Sequence, residues 1–195
     1  MLVVIYGFVM AAGASRRFGD IKQLAKIDGV PMALRSYNIL NKILEERTYL
    51  VLGSNAEFIA RDFQEVNTIY NGQWSMGLGS SISCVATEME NESKCSGILI
   101  TLGDQVKLNE QDYQKLVDFY DEEKIVVSSY GLKKGPPVIF PRKYFEQLIR
   151  LKGDIGAREV IRKNSNFVIS CKLNNASFDV DYKDDFRDFL SQNSF

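Results

Sequence analysis

The sequence of 195 residues contains no histidine and only three cysteines, which excludes several kinds of active site. Cys84, Cys95 and Cys171 include no CxxC pair. Without histidine, the chain has few ligands for zinc and no base for a Ser-His-Asp or Cys–His nucleophile. The cysteines are interpreted as free thiols of a protein in the reducing cytoplasm. Acid–base or metal chemistry in this chain has to use carboxylates and lysine.

The sequence also has no excess of charge of one sign and no long hydrophobic run. Its formal net charge is -1, so binding to nucleic acid or to an anionic membrane surface is not expected. No window approaches the roughly 18 apolar residues of a membrane-spanning helix. Residues 1–15 end in Ala12-Gly13-Ala14, as a secretory signal can, but no lysine or arginine precedes the apolar run. That run is short and rich in β-branched residues, which favours a buried strand.

Stretches with the pattern of buried strands alternate with amphipathic stretches along the chain. Strands are predicted at residues 2–10, 48–53, 67–71, 96–104, 124–130 and 167–173, and in the first part of 136–151. Helices are predicted at 31–47, 55–66 with Asn55 as N-cap, 80–89, 110–124, the second part of 136–151, 153–164 and 183–190. The alternation predicts one α/β domain over residues 1–195, with a mostly parallel sheet between two layers of helices.

Small and polar residues follow three of the predicted strands. AAGASRR comes after the first strand, NGQWSMGLGSS after the third and GDQ after the fourth. Ligands of open α/β sheets bind beyond the carboxyl ends of the strands. The three segments are therefore expected to line one crevice.

The segment after the first strand has the composition of a phosphate-binding loop. Gly13 permits a positive φ or the close approach of a phosphate, and its neighbours are small: Ala11, Ala12, Ala14 and Ser15. Backbone N–H groups of such a turn bind anions, and three cations are at hand: Arg16, Arg17 and Lys22. The spacing of Gly13 and Gly19 fits neither a Walker A loop nor GxGxxG. A plain strand-to-helix turn with solvated basic residues remains an alternative.

Acidic residues occur at two places where they could hold a metal ion. Asp104 ends the apolar run ILITLG, and beside a triphosphate it would be a Mg²⁺ ligand; alternatively it caps the helix that follows. A second cluster contains Asp179, Asp181, Asp184 and Asp185. In an extended chain Asp179 and Asp181 share one face, so one of them could complete a metal site. Alternatively, the cluster begins the last helix, where acids interact favourably with the helix dipole.

Six segments together resemble the MobA-like nucleotidyltransferases, specifically the molybdenum cofactor cytidylyltransferase branch. AAGASRRFGDIKQL is similar to the family signature LAAGxSxRFGxxKxL. The other five follow in the family's order: NGQWSMGLGSSI, TLGDQ, GPPVIF, KGDIGAR and FDVDYKDDF. The resemblance covers nearly the whole chain and implies a Rossmann-like, three-layer fold of the nucleotide-diphospho-sugar transferase (GT-A-like) type.

The resemblance implies transfer of a nucleoside monophosphate from a nucleoside triphosphate to the phosphate of a pterin cofactor, with release of pyrophosphate. Residues 11–19 would wrap the triphosphate, with Arg17 on the β- and γ-phosphates. Lys22 would lie near the α-phosphate. Asp104 would hold Mg²⁺, and Asp181 a second metal position. Lys22, Arg17 and Asp104 are therefore the expected catalytic residues.

The same resemblance assigns the nucleoside and the partners. Gly77, Gly79 and Ser81 match the segment that contacts base and ribose, and the Ala-Ala-Gly at 11–13 is similar to the branch that uses CTP rather than GTP. The GDIGAR segment at 153–158 is expected near the acceptor. The implied partners are CTP, a molybdopterin-type acceptor, and a molybdoenzyme or its maturation factor.

Two segments depart from the family pattern. The family's G-H-P reads Gly135-Pro136-Pro137, and its D-x-D-T-P-x-D reads DVDYKDD. Three other functions therefore stay open. One is an accessory protein that binds nucleotide without chemistry, and another is a transferase for a sugar phosphate or methylerythritol phosphate. The third is a dinucleotide-binding oxidoreductase, although the chain offers GASRRFG where that class needs GxGxxG.

Overall fold

A seven-stranded sheet runs through the computed structural model, which describes residues 3–63, 65–154 and 156–193. The strands are β1 (Ile5–Met10), β2 (Lys26–Ile27), β3 (Val30–Pro31), β4 (Thr48–Leu52), β5 (Thr68–Tyr70), β6 (Gly97–Leu102), β7 (Ile125–Tyr130), β8 (Lys133–Pro141) and β9 (Val168–Lys172). The helices are α1 (Met32–Leu44), α2 (Ala56–Asp62), α3 (Leu78–Glu90), α4 (Glu110–Asp118), α5 (Phe145–Ile149), α6 (Arg158–Lys163) and α7 (Lys183–Asn193).

The strand order of the large sheet is β5-β4-β1-β6-β8-β7-β9. Every neighbouring pair is parallel except the two that involve β8, which runs antiparallel to β6 and to β7. The predicted single α/β unit with a mostly parallel, mixed sheet is therefore confirmed. In the described part of the chain, no helix is both long and apolar enough to traverse a bilayer.

Each face of the sheet carries its own hydrophobic core, as a three-layer fold requires. On one face, α1 and α4 pack against the sheet through residues such as Leu40 and Leu116. On the other face, α3 and α5 pack through residues such as Val85 and Phe145. The central strand β1 serves both cores, because its successive side chains alternate between the faces.

A third, smaller core lies at the carboxyl end of the sheet and positions the functional site. Phe18 from the loop after β1, Val106 from the loop after β6, and Val180 and Phe189 from the last part of the chain are all buried in it. Because this cluster joins three distant segments, the loop after β1 is held against the segment that precedes α7.

Several local predictions differ from the structure. Asn55 precedes α2, but its backbone is left-handed (φ 57°) and its side chain does not cap the helix. Asp104 is not the cap of α4, because Asn109 forms a capping box there with Asp112. The hairpin of β2 and β3 was not predicted from the sequence. Its turn is Asp28-Gly29, both with positive φ, which is the common two-residue hairpin turn.

Candidate active site

The carboxyl ends of β1 and β6 lie side by side, because Met10 pairs with Leu102 in a parallel ladder. The loops that leave these strands form a cleft of two adjoining cavities of about 370 and 450 Å³. Residues 10–17 and Asp104 contribute to both cavities, and residues 74–81 line the second. The structure thus brings together the three segments that follow the first, third and fourth predicted strands.

Most residues expected to bind the nucleotide line this cleft. The first cavity contains Ala11, Gly13, Ser15, Arg16, Arg17, Lys22, Asp104 and Asp181. The second contains Ala12, Gly13, Ala14, Ser15, Arg16, Arg17, Gly77, Ser81 and Asp104. Gly79 belongs to neither lining and has a packing role described below.

The loop after β1 is held in shape by Gln23, a buried residue that the sequence did not single out. Its Nε2 donates hydrogen bonds to the carbonyl oxygens of Ala11 at 2.8 Å and Gly13 at 2.7 Å. Its Oε1 accepts one from Oγ of Ser15 at 3.0 Å, where the backbone is left-handed (φ 52°). Two carbonyl oxygens that would repel a phosphate are therefore paired with an amide. The only sequence signal was its position next to Lys22.

Lys22 and Asp104 form a partly buried ion pair at the floor of the first cavity. Nζ of Lys22 lies 2.6 Å from Oδ2 of Asp104, and the two side chains are 15% and 21% exposed. The same Nζ donates to the carbonyl oxygen of Val180 at 2.7 Å and lies 4.0 Å from Oδ1 of Asp181. The other carboxylate oxygen of Asp104, Oδ1, is buried and has no hydrogen-bond partner among the described residues.

The two arginines of the loop have different surroundings. Arg17 forms a bidentate ion pair with Asp181, with Nη2–Oδ1 at 3.0 Å and Nη1–Oδ2 at 2.9 Å. Its guanidinium also lies over the ring of Tyr182, 5.6 Å from the centroid. Arg16 is exposed, lines both cavities and has no ion pair within the described part of the chain. Arg16 is therefore the cation that can meet an incoming phosphate without breaking an existing contact.

The acidic cluster at 179–185 divides into two groups. Asp185 accepts hydrogen bonds from the backbone N–H groups of Asp181 at 2.9 Å and Tyr182 at 2.7 Å, so it caps the start of α7. Asp181 instead lines the first cavity, and Asp179 is close enough to Asp104 and Asp181 for their charges to act on it. Partial desolvation, followed by the charges of Asp104 and Asp181, raises the pKa of Asp179 to about 6. The alternative that the cluster begins the last helix is thus confirmed for Asp185, whereas a metal-binding role of Asp181 stays a prediction.

The second cavity is built on close backbone contacts around the start of α3. A methyl group on Gly77, whose φ is +93°, would lie 2.1 Å from Oδ1 of Asp154. One on Gly79 would lie 2.7 Å from the carbonyl oxygen of Gly153, which accepts a 2.8 Å hydrogen bond from the Gly79 N–H. Both glycines therefore let residues 152–154 approach the helix. Asp154 thereby joins the cavity lining, whereas Ile155 of the GDIGAR segment lies outside the described residues.

Trp74 and Ser81 complete the wall of the second cavity. Ser81 is buried, and its Oγ accepts a hydrogen bond from Nδ2 of the buried Asn71 at 3.0 Å. Trp74 packs on Gly53, where an added methyl group would lie 2.4 Å from Cβ of the tryptophan. Asn71 and Trp74 lie in the segment expected at the crevice but were not singled out as site residues. Gly53 was not predicted either, because its contact with Trp74 joins two separate loops.

The carboxylates fit a divalent metal that also binds a second ligand. Among the described residues, no group of three or more Asp, Glu, Cys or His side chains is arranged to hold an ion. Asp104 nevertheless offers a buried oxygen without a partner, and Asp181 lies across Lys22 from it. Mg²⁺ commonly takes one or two carboxylates and completes its shell with phosphate oxygens and water. The donor set is therefore suitable for a metal that arrives with a polyphosphate.

Comparison with known proteins gives one family and several relatives of the same fold. The profile of the MobA-like NTP transferase domain matches residues 7–167. Purine catabolism protein PucB of Bacillus subtilis is 27% identical over 199 residues, which span 93% of this chain and 94% of PucB.

Three solved structures illustrate the shared fold. Rv0371c of Mycobacterium tuberculosis H37Rv is 24% identical, with a TM-score of 0.82 over 98% of this chain and 100% of that one. A complex of Rv0371c with manganese has a TM-score of 0.79 at 23% identity, over 97% of this chain and 99% of that one. Molybdopterin-guanine dinucleotide biosynthesis protein A of Archaeoglobus fulgidus has a TM-score of 0.68 at 14% identity, over 97% of this chain and 98% of that one.

Proposed function

The chain belongs to the family of MobA-like NTP transferase domains, and from this we propose that it transfers CMP from CTP to the phosphate of a molybdopterin-type pterin. It is a nucleotidyltransferase of the MobA-like kind; the choice of CTP and of the pterin acceptor is our proposal, as is its location in the cytoplasm. We also propose that residues 1–195 act as one nucleotidyltransferase domain.

The observation that carries the proposal is the partly buried Lys22–Asp104 pair in a cleft at the carboxyl ends of the two central strands. The adjoining cavities of about 370 and 450 Å³ have the size of small-molecule sites, which run from roughly 300 to 1,000 Å³. Lys22 and Asp181 line the first cavity but not the second, whereas Trp74, Gly77 and Ser81 line the second but not the first. We therefore place the triphosphate in the first cavity and the nucleoside in the second.

The chemistry requires positioning and charge neutralisation more than proton transfer. A phosphate oxygen of the acceptor forms a bond to the α-phosphorus of CTP, and the bond from that phosphorus to the β-phosphate oxygen breaks. Pyrophosphate leaves with the electron pair. The attacking phosphate is already ionised near neutral pH, so the reaction needs no strong base, in keeping with a sequence without histidine.

Each cation of the loop has a part in this arrangement. Lys22 neutralises negative charge at the α-phosphate, and Arg16 and Arg17 bind the phosphates that leave as pyrophosphate. Asp104 and Asp181 would hold Mg²⁺, which when bound supplies further positive charge to the polyphosphate. The small residues of segment 11–15 leave room for the phosphates, and Gln23 keeps the loop carbonyls turned away from them.

The nucleotide and the acceptor have independent support. Ala11-Ala12-Gly13 is similar to the cytidylyl branch of the family, which favours CTP over GTP. The fold shared with a molybdopterin-guanine dinucleotide biosynthesis protein supports a pterin acceptor. The replaced histidine at Gly135-Pro136-Pro137 favours a second candidate, in which the protein binds nucleotide and passes it to a molybdoenzyme or its maturation factor without catalysing transfer.

Pyrophosphate release tests these assignments directly. The purified protein is incubated with Mg²⁺, one of the four nucleoside triphosphates and one acceptor, chosen from molybdopterin, a sugar phosphate and methylerythritol phosphate. We expect release only with CTP and molybdopterin. Release with another acceptor or with GTP would contradict the assignment of substrates, and CTP binding without release from any acceptor would favour the accessory protein.

A further inference from the structure

Two of the three cations that the proposed function assigns to phosphates, Lys22 and Arg17, are paired in this structure with the carboxylates that it assigns to the metal. Lys22 contacts Asp104 at 2.6 Å and lies 4.0 Å from Asp181. Arg17 occupies both carboxylate oxygens of Asp181. The charges of Lys22 and Arg17 are therefore balanced by those of Asp104 and Asp181, whereas Arg16 has no ion pair in the described part of the chain.

The strength of this pairing depends on burial. Lys22 and Asp104 are 15% and 21% exposed, whereas the pair of Lys42 and Glu110 elsewhere on the surface is 65% and 53% exposed. Charges partly removed from water interact more strongly than exposed pairs, which contribute little. Lys22 also donates to the carbonyl oxygen of Val180, so its ammonium group is fixed by two hydrogen bonds.

This arrangement opposes either ligand when it comes alone. A bare divalent cation that approaches Asp104 meets the ammonium group of Lys22. A bare polyphosphate that approaches Lys22 meets the carboxylates of Asp104 and Asp181. A metal–polyphosphate complex brings a cation to the carboxylates and anions to the ammonium group at the same time, so the lost ion pair is replaced on both sides.

Resting on the proposed function, we propose that the ion pair of Lys22 and Asp104 makes the binding of metal and polyphosphate interdependent. We call this ion pair the lock, because each ligand has to displace one of its two charges. Neither ligand binds tightly alone, and each increases the affinity for the other by the same factor, as thermodynamic linkage requires. Oδ1 of Asp104 agrees with this role, because it is buried and has no hydrogen-bond partner among the described residues, so it is available as a metal ligand.

The first test measures the affinity for Mn²⁺ alone, by the electron paramagnetic resonance signal of the free ion. Lys22→Met removes the competing charge, so we expect Mn²⁺ to bind at least about fivefold more tightly, the factor that two unit charges 4 Å apart give even in water. Lys42→Met has the same charge change at an exposed pair and is expected to match the wild type. Unchanged or weaker Mn²⁺ binding by a folded Lys22→Met protein would overturn the proposal.

A charge-conserving variant keeps this test independent of folding defects. Lys22→Arg retains the positive charge and is expected to bind Mn²⁺ as weakly as the wild type. If Lys22→Arg tightened Mn²⁺ binding as much as Lys22→Met does, charge would not be the cause, and the lock would be wrong.

The reciprocal test uses inorganic tripolyphosphate without metal, measured by calorimetry. Asp104→Asn removes the carboxylate that repels the anion, so we expect tighter binding than in the wild type, with Glu110→Gln as the matched control at the exposed pair. In the wild type, Mn²⁺ and tripolyphosphate should strengthen each other's binding, and Lys22→Met should reduce that effect. Independent binding of the two ligands to the wild type would contradict the lock.

Failure of the lock and failure of the proposed function give different results. A protein that releases pyrophosphate from CTP but binds Mn²⁺ equally well with and without Lys22 retains the function and lacks the lock. A protein that shows the reciprocal changes in binding but releases no pyrophosphate with any acceptor has the lock and lacks the proposed activity.

Discussion

The buried amide of Gln23 donates a 2.7 Å hydrogen bond to the carbonyl oxygen of Gly13, at the point where the chain leaves the central strand. A second bond to Ala11 and one accepted from Ser15 make this side chain the internal support of the loop. The bends that shape the proposed phosphate site therefore depend on a residue that carries no charge and needs no contact with the substrate.

Replacing Gln23 with leucine should weaken both the fold and the site. The substitution leaves the buried carbonyl oxygen of Ala11 without a donor, which costs roughly 1–3 kcal/mol in comparable cases, and it also removes the partly exposed bond to Gly13. We expect a lower melting temperature and weaker CTP binding in a thermal-shift titration. Gln192→Leu, on the exposed side of α7, serves as the control. Equal CTP affinity in wild type and Gln23→Leu would show that the loop holds its shape without this support.

Replacing Lys22 with alanine should reduce turnover by about 100-fold or more, as for other groups that stabilise charge in the transition state. The reduction should lie mainly in kcat, because Lys22 is proposed to act at the α-phosphate while the arginines retain the substrate. Pyrophosphate release with CTP measures it, and Lys42→Ala is the control. Full activity of Lys22→Ala would remove Lys22 from the mechanism.

The glycines of the cleft should separate into two classes. Gly13 has no atom within 4 Å of an added methyl group, so Gly13→Ala should keep the wild-type melting temperature but obstruct the nucleotide. Gly77→Ala should instead lower stability, because its methyl group would overlap Asp154 at a positive φ. Gly131→Ala, with a positive φ and open space, isolates the cost of the backbone angle. A melting temperature of Gly13→Ala as low as that of Gly77→Ala would contradict this division.

Asp179 should make the folded protein less stable as the pH rises. Its pKa is about 6 in the folded state and near 3.8 when unperturbed, so the folded state holds more protons between those values. Stability therefore falls as pH increases from about 4 to 6. Asp179→Asn should melt higher than the wild type at pH 7.5 and equally at pH 4. The effect should be modest because the residue is exposed. A wild-type advantage at pH 7.5 would reverse the assigned sign.

The sequence was sufficient for the parts of the fold that depend on local patterns. Apolar runs and amphipathic periods located the seven strands of the large sheet and most helices, and the small or polar residues after three strands located the cleft. Element ends were less accurate: the predicted helix 110–124 ends at Asp118, and the one predicted from 153 begins at Arg158. The apolar periodicity of the sequence thus continues beyond the ends of these two helices.

Contacts between distant residues could not be predicted in the same way. Arg17 and Asp181 are separated by 164 positions, and only the third core around Phe18 and Val180 brings them together. The family signature separates Arg17 from Arg16, but it does not show that Arg17 is bound to a carboxylate while Arg16 has no ion pair among the described residues. Gln23 was missed for a related reason, because its function follows from its burial rather than from its chemical type.

Trp74 is the only tryptophan in the sequence, and it lies in the wall of the second cavity. The tryptophan fluorescence of the protein therefore comes from one known position, with no background from other indole groups. A base stacked near this ring would quench or shift the emission. The unlabelled protein thus carries an optical reporter of nucleotide occupancy, which can follow binding in rapid-mixing experiments.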